Sequence, residues 1–221
     1  MLMFKLNIIL CAVFTIWFYS NRSIAYAPTE GNISSYFGPY LYKTNFSGTK
    51  SGVYSPELVG LGMIVNGDIN DKGSLEIGIF QMNKVYIRDE FSKFIAEQTA
   101  LTHITMGYRR WLDEYFSLSL SFYSAYSMGE PKIIYSDFPV GSEIDTSARD
   151  TTEYGFDMAA QLELYNQHTY AIVLDARYST SVTPKKNENA DHFGLLLGFR
   201  YLYQEKVKTT PHSVEPADQA L

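Results

Sequence analysis

The C-terminal half of the sequence alternates large apolar residues with small or polar ones for about a dozen residues at a time. The clearest copies of this pattern lie at residues 116–122, 154–164 and 193–201. A period of two is typical of a β-strand with chemically different faces, because successive side chains point to opposite sides. The pattern therefore predicts a sheet with one large apolar face and one face of small residues.

An export signal precedes this part of the chain. Lys5 supplies a positive charge near its start, residues 6–18 form an apolar stretch, and residues 25–27 (Ala-Tyr-Ala) fit a small-x-small cleavage site. The apolar stretch is shorter than the roughly 18 residues that a membrane-spanning helix needs. These features predict a signal peptide at residues 1–27, cleaved after Ala27, with an uncleaved anchor as the alternative.

Removal of this leader determines what the mature chain contains. Cys11 is the only cysteine, so the mature chain has neither a disulfide nor a cysteine nucleophile. Loss of Lys5 and Arg22 changes the net charge from −6 to −8, which argues against nucleic acid as a partner. We predict one domain at residues 28–203, followed by a polar and disordered periplasmic tail at residues 204–221.

Eight segments of the sequence have the pattern of strands. They span residues 35–46, 54–66, 74–86, 98–110, 115–127, 152–165, 169–181 and 192–203. Gly38 and Pro39 interrupt the first segment, and a change of phase near Phe80 suggests a bulge in the third. A tilted strand needs roughly 9–11 residues to cross the hydrocarbon core, so segments of this length can span a membrane.

The connections between these segments alternate in length. The short connections are residues 66–73, 111–114 and 166–168, and the longer ones are residues 47–53, 87–97, 128–151 and 182–191. Bacterial membrane barrels have short periplasmic turns and long external loops. With a periplasmic N-terminus, eight strands place every longer connection outside the cell, whereas an odd number of strands would not.

The identity of the smaller residues distinguishes a membrane barrel from a soluble one, because both alternate but with opposite faces inward. A water-facing surface should be rich in charged residues. The minor face here instead carries Ser117, Ser119, Ser121, Gly155, Ala159, Ala171, Gly194 and Gly198. Small residues fit the narrow lumen of an eight-stranded barrel. We therefore predict an all-β, eight-stranded antiparallel up-and-down transmembrane β-barrel, with a secreted soluble ligand-binding barrel as the alternative.

Aromatic residues cluster at the predicted strand ends, as in the two girdles of membrane barrels. At the periplasmic rim we expect Tyr36, Trp111, Phe116, Tyr165, Tyr170, Tyr201 and Tyr203. At the outer rim we expect Tyr54, Tyr86, Phe122, Tyr126, Tyr154, Tyr178 and Phe193.

With these features, the chain resembles the small eight-stranded outer-membrane proteins of the OmpA, OmpX and OmpW kind over about residues 33–203. The last strand of such proteins commonly carries a glycine and spaced aromatics, and Gly198, Tyr201 and Tyr203 match this assembly signal. The resemblance implies Sec-type export to the outer membrane of a Gram-negative bacterium and recognition by the barrel assembly machinery. It also implies contact with outer-membrane lipid and lipopolysaccharide, and a monomeric protein.

Charged residues with the phase of the lumen fall at two levels. Near the periplasmic end we expect Glu76, Arg109, Glu163 and Arg200, and higher up Asp157, Asp175 and Arg177. Both signs occur at both levels, and buried charges are costly unless they are paired. We therefore predict a paired network that fills the lumen, with a narrow pore for small solutes as the alternative.

A lipid A-modifying enzyme is a further alternative, since such an enzyme needs a nucleophile and a base that reach the outer leaflet. His103 and His192 lie towards the outer end, and Ser179 is the nearest candidate nucleophile, but all three have lumen phase. The acidic external residues Asp137, Glu143, Asp145 and Asp150 lack the spacing of a calcium loop. We predict no catalytic activity, no cofactor and no metal site.

The external loops are the remaining candidates for function, because loops on rigid scaffolds commonly carry it. Residues 132–140 are unusually apolar for an exposed loop, with Ile133, Ile134, Tyr135 and Phe138 as candidate contacts for a protein partner. This segment can extend the barrel as a hairpin, bind a partner by strand addition or fold over the mouth. Residues 87–98 have the spacing of a short amphipathic helix.

Overall fold

Alternating strands with two different faces can bury one face by closing into a barrel, and the computed structural model shows this arrangement. It describes residues 26–48, 55–142, 144–167 and 169–203. Residues 1–25 of the predicted leader and the predicted tail, residues 204–221, lie outside the described residues. Within the described part, no helix is long and apolar enough to span a membrane.

Ten strands and one 3₁₀ turn form the described chain. They are β1 (Ile33–Thr44), β2 (Glu57–Asp68), β3 (Gly73–Glu90), β4 (Lys93–Trp111), β5 (Phe116–Ser127), β6 (Lys132–Ser136), the 3₁₀ turn Ser147–Arg149, β7 (Thr152–Gln167), β8 (Tyr170–Ser181), β9 (Glu188–Asn189) and β10 (His192–Tyr203). Eight of the strands correspond to the eight predicted segments, and β6 and β9 are short additions in external loops.

The sheet closes because β1 pairs antiparallel with β2 on one side and with β10 on the other. The wall runs in the order β1–β2–β3–β4–β5–β7–β8–β10, with neighbours along the chain also neighbours in space. This up-and-down barrel confirms the predicted fold class. Gly38 and Pro39 do not interrupt β1, since both pair with β2, and only the pairing with β10 skips them.

The two faces of the wall are those that the sequence predicts. The small side chains of Ser117, Ser119 and Ser121 are buried in the lumen, whereas Leu118 and Leu120 between them face outward and are exposed. The same alternation holds around the barrel, so the outer wall is apolar. A wall of exposed leucine, isoleucine and phenylalanine fits lipid rather than water.

The predicted bulge near Phe80 is wrong. β3 pairs with β4 without a register shift from Gly73 to Glu90, and Phe80 and Lys84 keep the lumen phase. The apparent change of phase arises higher up, where Val85, Tyr86 and Ile87 are all buried because external segments cover the strand.

Above the barrel, β3 and β4 continue as a long hairpin. β9 pairs with β3 and β6 pairs with β4, which gives a four-stranded sheet in the order β9–β3–β4–β6. We call it the external sheet. Phe91 and Ser92 form the hairpin turn with φ of 51° and 62°. The predicted amphipathic helix at residues 87–98 is therefore wrong, because pairing partners distant in the sequence hold this segment extended.

The lumen is filled by aromatic rings that lie against glycines of neighbouring strands. A Cβ atom on Gly194 would come 2.3 Å from the ring of Tyr40, and one on Gly155 would come 2.4 Å from the ring of Tyr123. Gly198 makes the same room for Tyr36. These lumen positions therefore require small residues, because tyrosine rings occupy the space next to them.

This packing corrects three of the predicted girdle residues. Tyr36, Tyr86 and Trp111 are buried, because their strand positions turn them inward. The outward aromatics that do lie near the rims include Tyr126, Tyr154, Tyr170, Tyr201 and Tyr203, all more than a third exposed. Tyr54 lies outside the described residues.

Between β2 and β3 the wall separates towards the outer end. Their pairing stops at Leu61 and Gln81, although β3 continues upward. At this height, side chains near the end of β1 make hydrogen bonds to the main chain of β3 in place of β2. The Tyr42 hydroxyl accepts a hydrogen bond from the Asn83 N–H at 2.6 Å. The Asn45 amide donates to the Val85 carbonyl at 2.6 Å.

Candidate functional site

The most concentrated set of charges lies inside the lumen and centres on two arginines. Arg109 on β4 donates from Nε to Oε2 of Glu76 at 2.6 Å and from Nη2 to Oδ2 of Asp175 at 2.7 Å. It also contacts the hydroxyls of Ser117 at 2.9 Å and Tyr36 at 3.3 Å. Every guanidinium nitrogen of Arg109 is therefore bonded within a site that excludes solvent.

Arg177 on β8 connects the same carboxylates from the opposite wall. Its Nη2 lies 2.8 Å from Oε1 of Glu76, and β3 and β8 are four places apart around the eight-stranded wall. Its Nη1 and Nε lie 3.2 Å from Asp157 and 3.3 Å from Asp175. The two arginines and three carboxylates form one network across the lumen, which we call the lumen network.

The other two residues of the predicted set form a separate pair nearer the periplasm. Arg200 on β10 donates to a carboxylate oxygen of Glu163 on β7, and Asn166 donates to the second oxygen at 2.7 Å. The structure thus divides the seven predicted charges into a group of five and a pair. Asp175 and Arg177 lie with Glu76 and Arg109 rather than at a separate upper level.

A second charged cluster near the outer mouth was missed by the sequence reasoning. Nζ of Lys84 lies 2.6 Å from Oε1 of Glu153, and the hydroxyls of Tyr86 and Tyr123 donate to the same carboxylate. Lys84 and Glu153 come from strands three places apart, so this cluster also crosses the lumen. The bulge predicted near Phe80 hid the lumen phase of Lys84.

The three candidate catalytic side chains all lie inside the barrel. Nε2 of His103 lies 3.2 Å from Asp157, and Nε2 of His192 lies 3.0 Å from the Ser179 hydroxyl. All of these residues are at most 1% exposed. The Ser179–His192 contact has the spacing of a hydroxyl and a base, but its side chains point into the packed lumen rather than towards the outer leaflet.

The loop between β5 and β7 covers the outer mouth with its 3₁₀ turn. Arg149 donates from Nη2 to Oε1 of Glu97 at 2.6 Å, and the Thr146 hydroxyl donates to Oε2 at 2.5 Å. The Ser147 N–H donates to Glu188 on β9 at 2.9 Å. Burial raises the pKa of Glu188 above its ordinary value. We call residues 144–150 the lid.

The residues predicted to contact a partner lie on or beside β6, the edge strand of the external sheet. Ile133, Ile134 and Tyr135 on β6 are 57%, 48% and 47% exposed. The Tyr135 ring stacks on Phe94 of β4 with centroids 4.5 Å apart, and Phe138 follows with Lys93 over its ring. Of the three arrangements open to residues 132–140, the structure shows the hairpin-like extension, while the mouth is covered by the lid.

A cleft of about 740 Å³ opens at the other edge of the external sheet. It lies between the β3–β4 turn, β9 and residues 47–48, and Asp89, Glu90, Lys93 and Glu188 line it. Among the described residues no cluster of three or more acidic, histidine or cysteine side chains is placed to hold a metal. Asp145 and Asp150 instead lie against Lys185; Glu143 lies outside the described residues.

The residues of the predicted assembly signal occupy the last strand of the barrel. Tyr201 and Tyr203 on β10 point outward and are 44% and 57% exposed. Gly198 faces the lumen beneath the ring of Tyr36. The arrangement leaves both aromatic rings accessible on the outer wall, and it gives Gly198 a packing role in the folded barrel.

Comparison with known proteins rests on structure alone, since no family model and no curated protein matches the sequence. The outer membrane protein OprG of Pseudomonas aeruginosa matches with a TM-score of 0.52 at 10% identity, over 80% of this chain and 98% of that one. The attachment invasion locus protein Ail of Yersinia pestis matches with a TM-score of 0.46 at 14% identity, over 78% and 100%. The likeness to OprG agrees with the closed antiparallel wall of eight strands. The chain therefore has the fold of the small eight-stranded outer-membrane β-barrel proteins.

Proposed function

We propose that the protein is exported to the outer membrane of a Gram-negative bacterium, where it acts as a closed barrel through its external surface. The lumen network is the observation that carries this proposal. Arg109 and Arg177 bridge carboxylates from nearly opposite walls at 2.5–3.3 Å, and their side chains are fully buried. A barrel of this size has little space besides its side chains, so such bridges close it.

Conductance in planar bilayers tests the closed lumen against the narrow pore. We expect the purified protein to give no stepwise conductance above that of the lipid. Single-channel steps that scale with salt concentration would favour the pore. Fractionation tests the location, because a secreted soluble barrel would not partition with outer-membrane lipid and lipopolysaccharide.

The absence of catalytic activity is part of the same proposal. Ser179 and His192 are the nearest match to a nucleophile and its base, and both side chains are buried in the lumen. Incubation with lipopolysaccharide followed by mass spectrometry should leave every acyl chain in place. Loss of an acyl chain that disappears in Ser179→Ala would identify the protein as a lipid A-modifying enzyme.

The external sheet is the surface that we propose to contact a protein partner. β6 pairs with β4 on one side, and no other described strand pairs with its second edge. A free edge offers unpaired N–H and C=O groups to an extended segment of another chain, and Ile133 and Tyr135 add exposed apolar area. Strand addition at β6 is therefore the mode of binding that the geometry supports best.

Deletion of residues 132–140 tests this role. The variant should still show the heat-dependent shift in gel mobility of a folded barrel, because the lid is held by Glu97 and Glu188 rather than by β6. It should lose any binding to cells or proteins that the intact barrel shows. Ile133→Asp is a milder variant for the same comparison. A variant that fails to fold would mean that the segment is structural.

A further inference from the structure

The periplasmic mouth of the barrel is closed by a residue that precedes the first strand. Tyr26 is only 4% exposed, and its ring centroid lies 4.5 Å from that of Trp111. The Arg200 guanidinium also lies over the Tyr26 ring, with Cζ 4.2 Å from its centroid. Tyr26 also packs with Leu202 of the last strand, so it joins the two ends of the barrel domain.

The hydroxyl of Tyr26 is also hydrogen-bonded within the fold. It donates to Oδ2 of Asp68 at 2.6 Å, and Asp68 also accepts from the Ser74 hydroxyl at 2.6 Å and the Thr29 N–H at 3.1 Å. Burial and the charge of Asp68 raise the pKa of Tyr26, which keeps the donating proton in place. The contacts of Tyr26 are thus those of an integral part of the fold.

Cleavage after Ala27 would remove this residue. A chain that begins at Pro28 keeps the Thr29 N–H bond to Asp68 and the main-chain bonds of Gly31 and Asn32. It loses the ring that contacts Trp111 and Arg200, and it leaves a cavity at the mouth. Removal of a large buried aromatic side chain is among the most destabilising changes that a core can undergo.

We propose that the leader is instead cleaved between Ala25 and Tyr26, so that the mature protein begins with the residue that closes its periplasmic mouth. Ser23 and Ala25 also satisfy the small-x-small pattern. Water adds across the Ala25–Tyr26 amide bond, leaving a carboxylate on Ala25 and an ammonium group on Tyr26. The Tyr26 nitrogen lies 3.3 Å from the Glu114 carbonyl oxygen, so the new ammonium group can donate to it.

The chemistry of the two bonds favours the same choice. The Ala27–Pro28 bond is followed by a proline ring, which fixes φ and removes the N–H. The Ala25–Tyr26 bond is an ordinary secondary amide between residues that a protease can hold in an extended conformation. The two cleavage sites differ by the dipeptide Tyr26-Ala27, so the choice between them decides whether the mature barrel keeps the Tyr26 ring at its periplasmic mouth.

This inference rests on the proposed export, and the experiment separates the two. The full chain is expressed in a Gram-negative host, the outer membrane is isolated, and the N-terminus is determined by intact mass and sequential degradation. We expect Tyr-Ala-Pro as the first three residues. An outer-membrane protein that begins at Pro28 or retains its leader would overturn the cleavage site alone. An unprocessed chain away from the outer membrane would overturn the proposed location and this inference together.

Two matched substitutions locate the bond independently. Ala25→Leu should block or divert processing, whereas Ala27→Leu should leave the N-terminus at Tyr26. The reverse result would contradict the proposal. Tyr26→Ala should be processed at the same bond but lose its folded gel mobility at a lower temperature than the unsubstituted protein, as expected if the ring is a structural plug. Equal thermal stability would contradict the role of the ring.

Discussion

Nη2 of Arg109 lies 2.7 Å from Oδ2 of Asp175, although the two residues are on strands three places apart in the wall. The same guanidinium contacts Glu76 on the adjacent strand. Arg109 therefore ties one side of the barrel to the other through the space that a pore would need. Because these groups are buried, removal of Arg109 would leave Glu76 and Asp175 with one arginine partner, Arg177, in place of two.

Arg109→Ala should destabilise the barrel without opening it. Removal of one partner from a buried ion pair costs about 3–5 kcal/mol, because Glu76 and Asp175 would keep their desolvation cost and each lose one of two arginine partners. Urea unfolding in detergent micelles, followed by tryptophan fluorescence, measures the loss. Bilayer recordings on the same preparation should still show no conductance, since Arg177 continues to bridge the lumen.

Arg110→Ala provides the matched control. Arg110 is the next residue of β4, faces outward and is exposed. Its replacement should change stability by much less than that of Arg109, because surface charges contribute little to folding. Equal effects of the two substitutions would mean that the lumen network does not hold the wall together. Conductance confined to Arg109→Ala would instead favour a gated pore.

A second pair of matched variants tests the region where the pairing between β2 and β3 stops. Tyr42→Phe removes the acceptor of the part-buried Asn83 N–H, and loss of such a hydrogen bond costs about 0.5–1.5 kcal/mol. Tyr40→Phe should be nearly neutral, because the buried Tyr40 hydroxyl has no hydrogen-bond partner among the described residues. The rings stack with centroids 5.3 Å apart, so both variants keep similar packing. Unfolding curves that coincide for the two variants would contradict the role of the Tyr42 hydroxyl.

The faces of the wall could be predicted because the period of two follows from strand geometry alone. Ser119 and Leu120 differ in size and polarity, and adjacent side chains must point to opposite sides. The small partner of each pair identified the lumen. No information about neighbouring strands was needed for this step.

The contents of the lumen could not be predicted in the same way. Tyr40 and Tyr36 are large enough for a lipid-facing girdle, and the room for their rings in the lumen depends on glycines more than 150 residues later in the chain. The bulge predicted near Phe80 hides the lumen phase of Lys84, and its partner Glu153 lies on a strand three places away in the wall. These contacts are set by the closure of the sheet, which a local pattern does not encode.

The external sheet illustrates the same limit at the level of secondary structure. Phe91, Phe94 and Ile95 have helical spacing, but the segment is extended because β6 pairs with β4. The composition of residues 132–140 shows that they are unusually apolar for an exposed loop. Their pairing partner could be identified only once the barrel had set the height at which each strand leaves the membrane.

Gly155→Ala tests whether the small lumen residues are required by the tyrosines. The added Cβ would come 2.2 Å from the Thr180 carbonyl oxygen and 2.4 Å from the Tyr123 ring, so the wall or the ring must move. Overpacking of this kind typically costs about 1–3 kcal/mol. Gly129→Ala is the control, since its added Cβ would meet no atom within 4 Å in the described part of the chain, its own chain neighbours aside. Equal stability of the two variants in urea would show that the lumen has room to spare.

Glu188 should make the lid respond to pH. Its pKa is raised by burial, so the folded protein binds this proton more readily than the unfolded chain does. The stabilisation is therefore complete below the ordinary carboxyl pKa and is lost as the pH rises through the raised value. Hydrogen exchange of residues 144–150, normalised to the unfolded rate at each pH, should increase across that range. Glu188→Gln should remove the increase, whereas exposed Glu130→Gln should retain it; an increase that persists in Glu188→Gln would assign the response to another group.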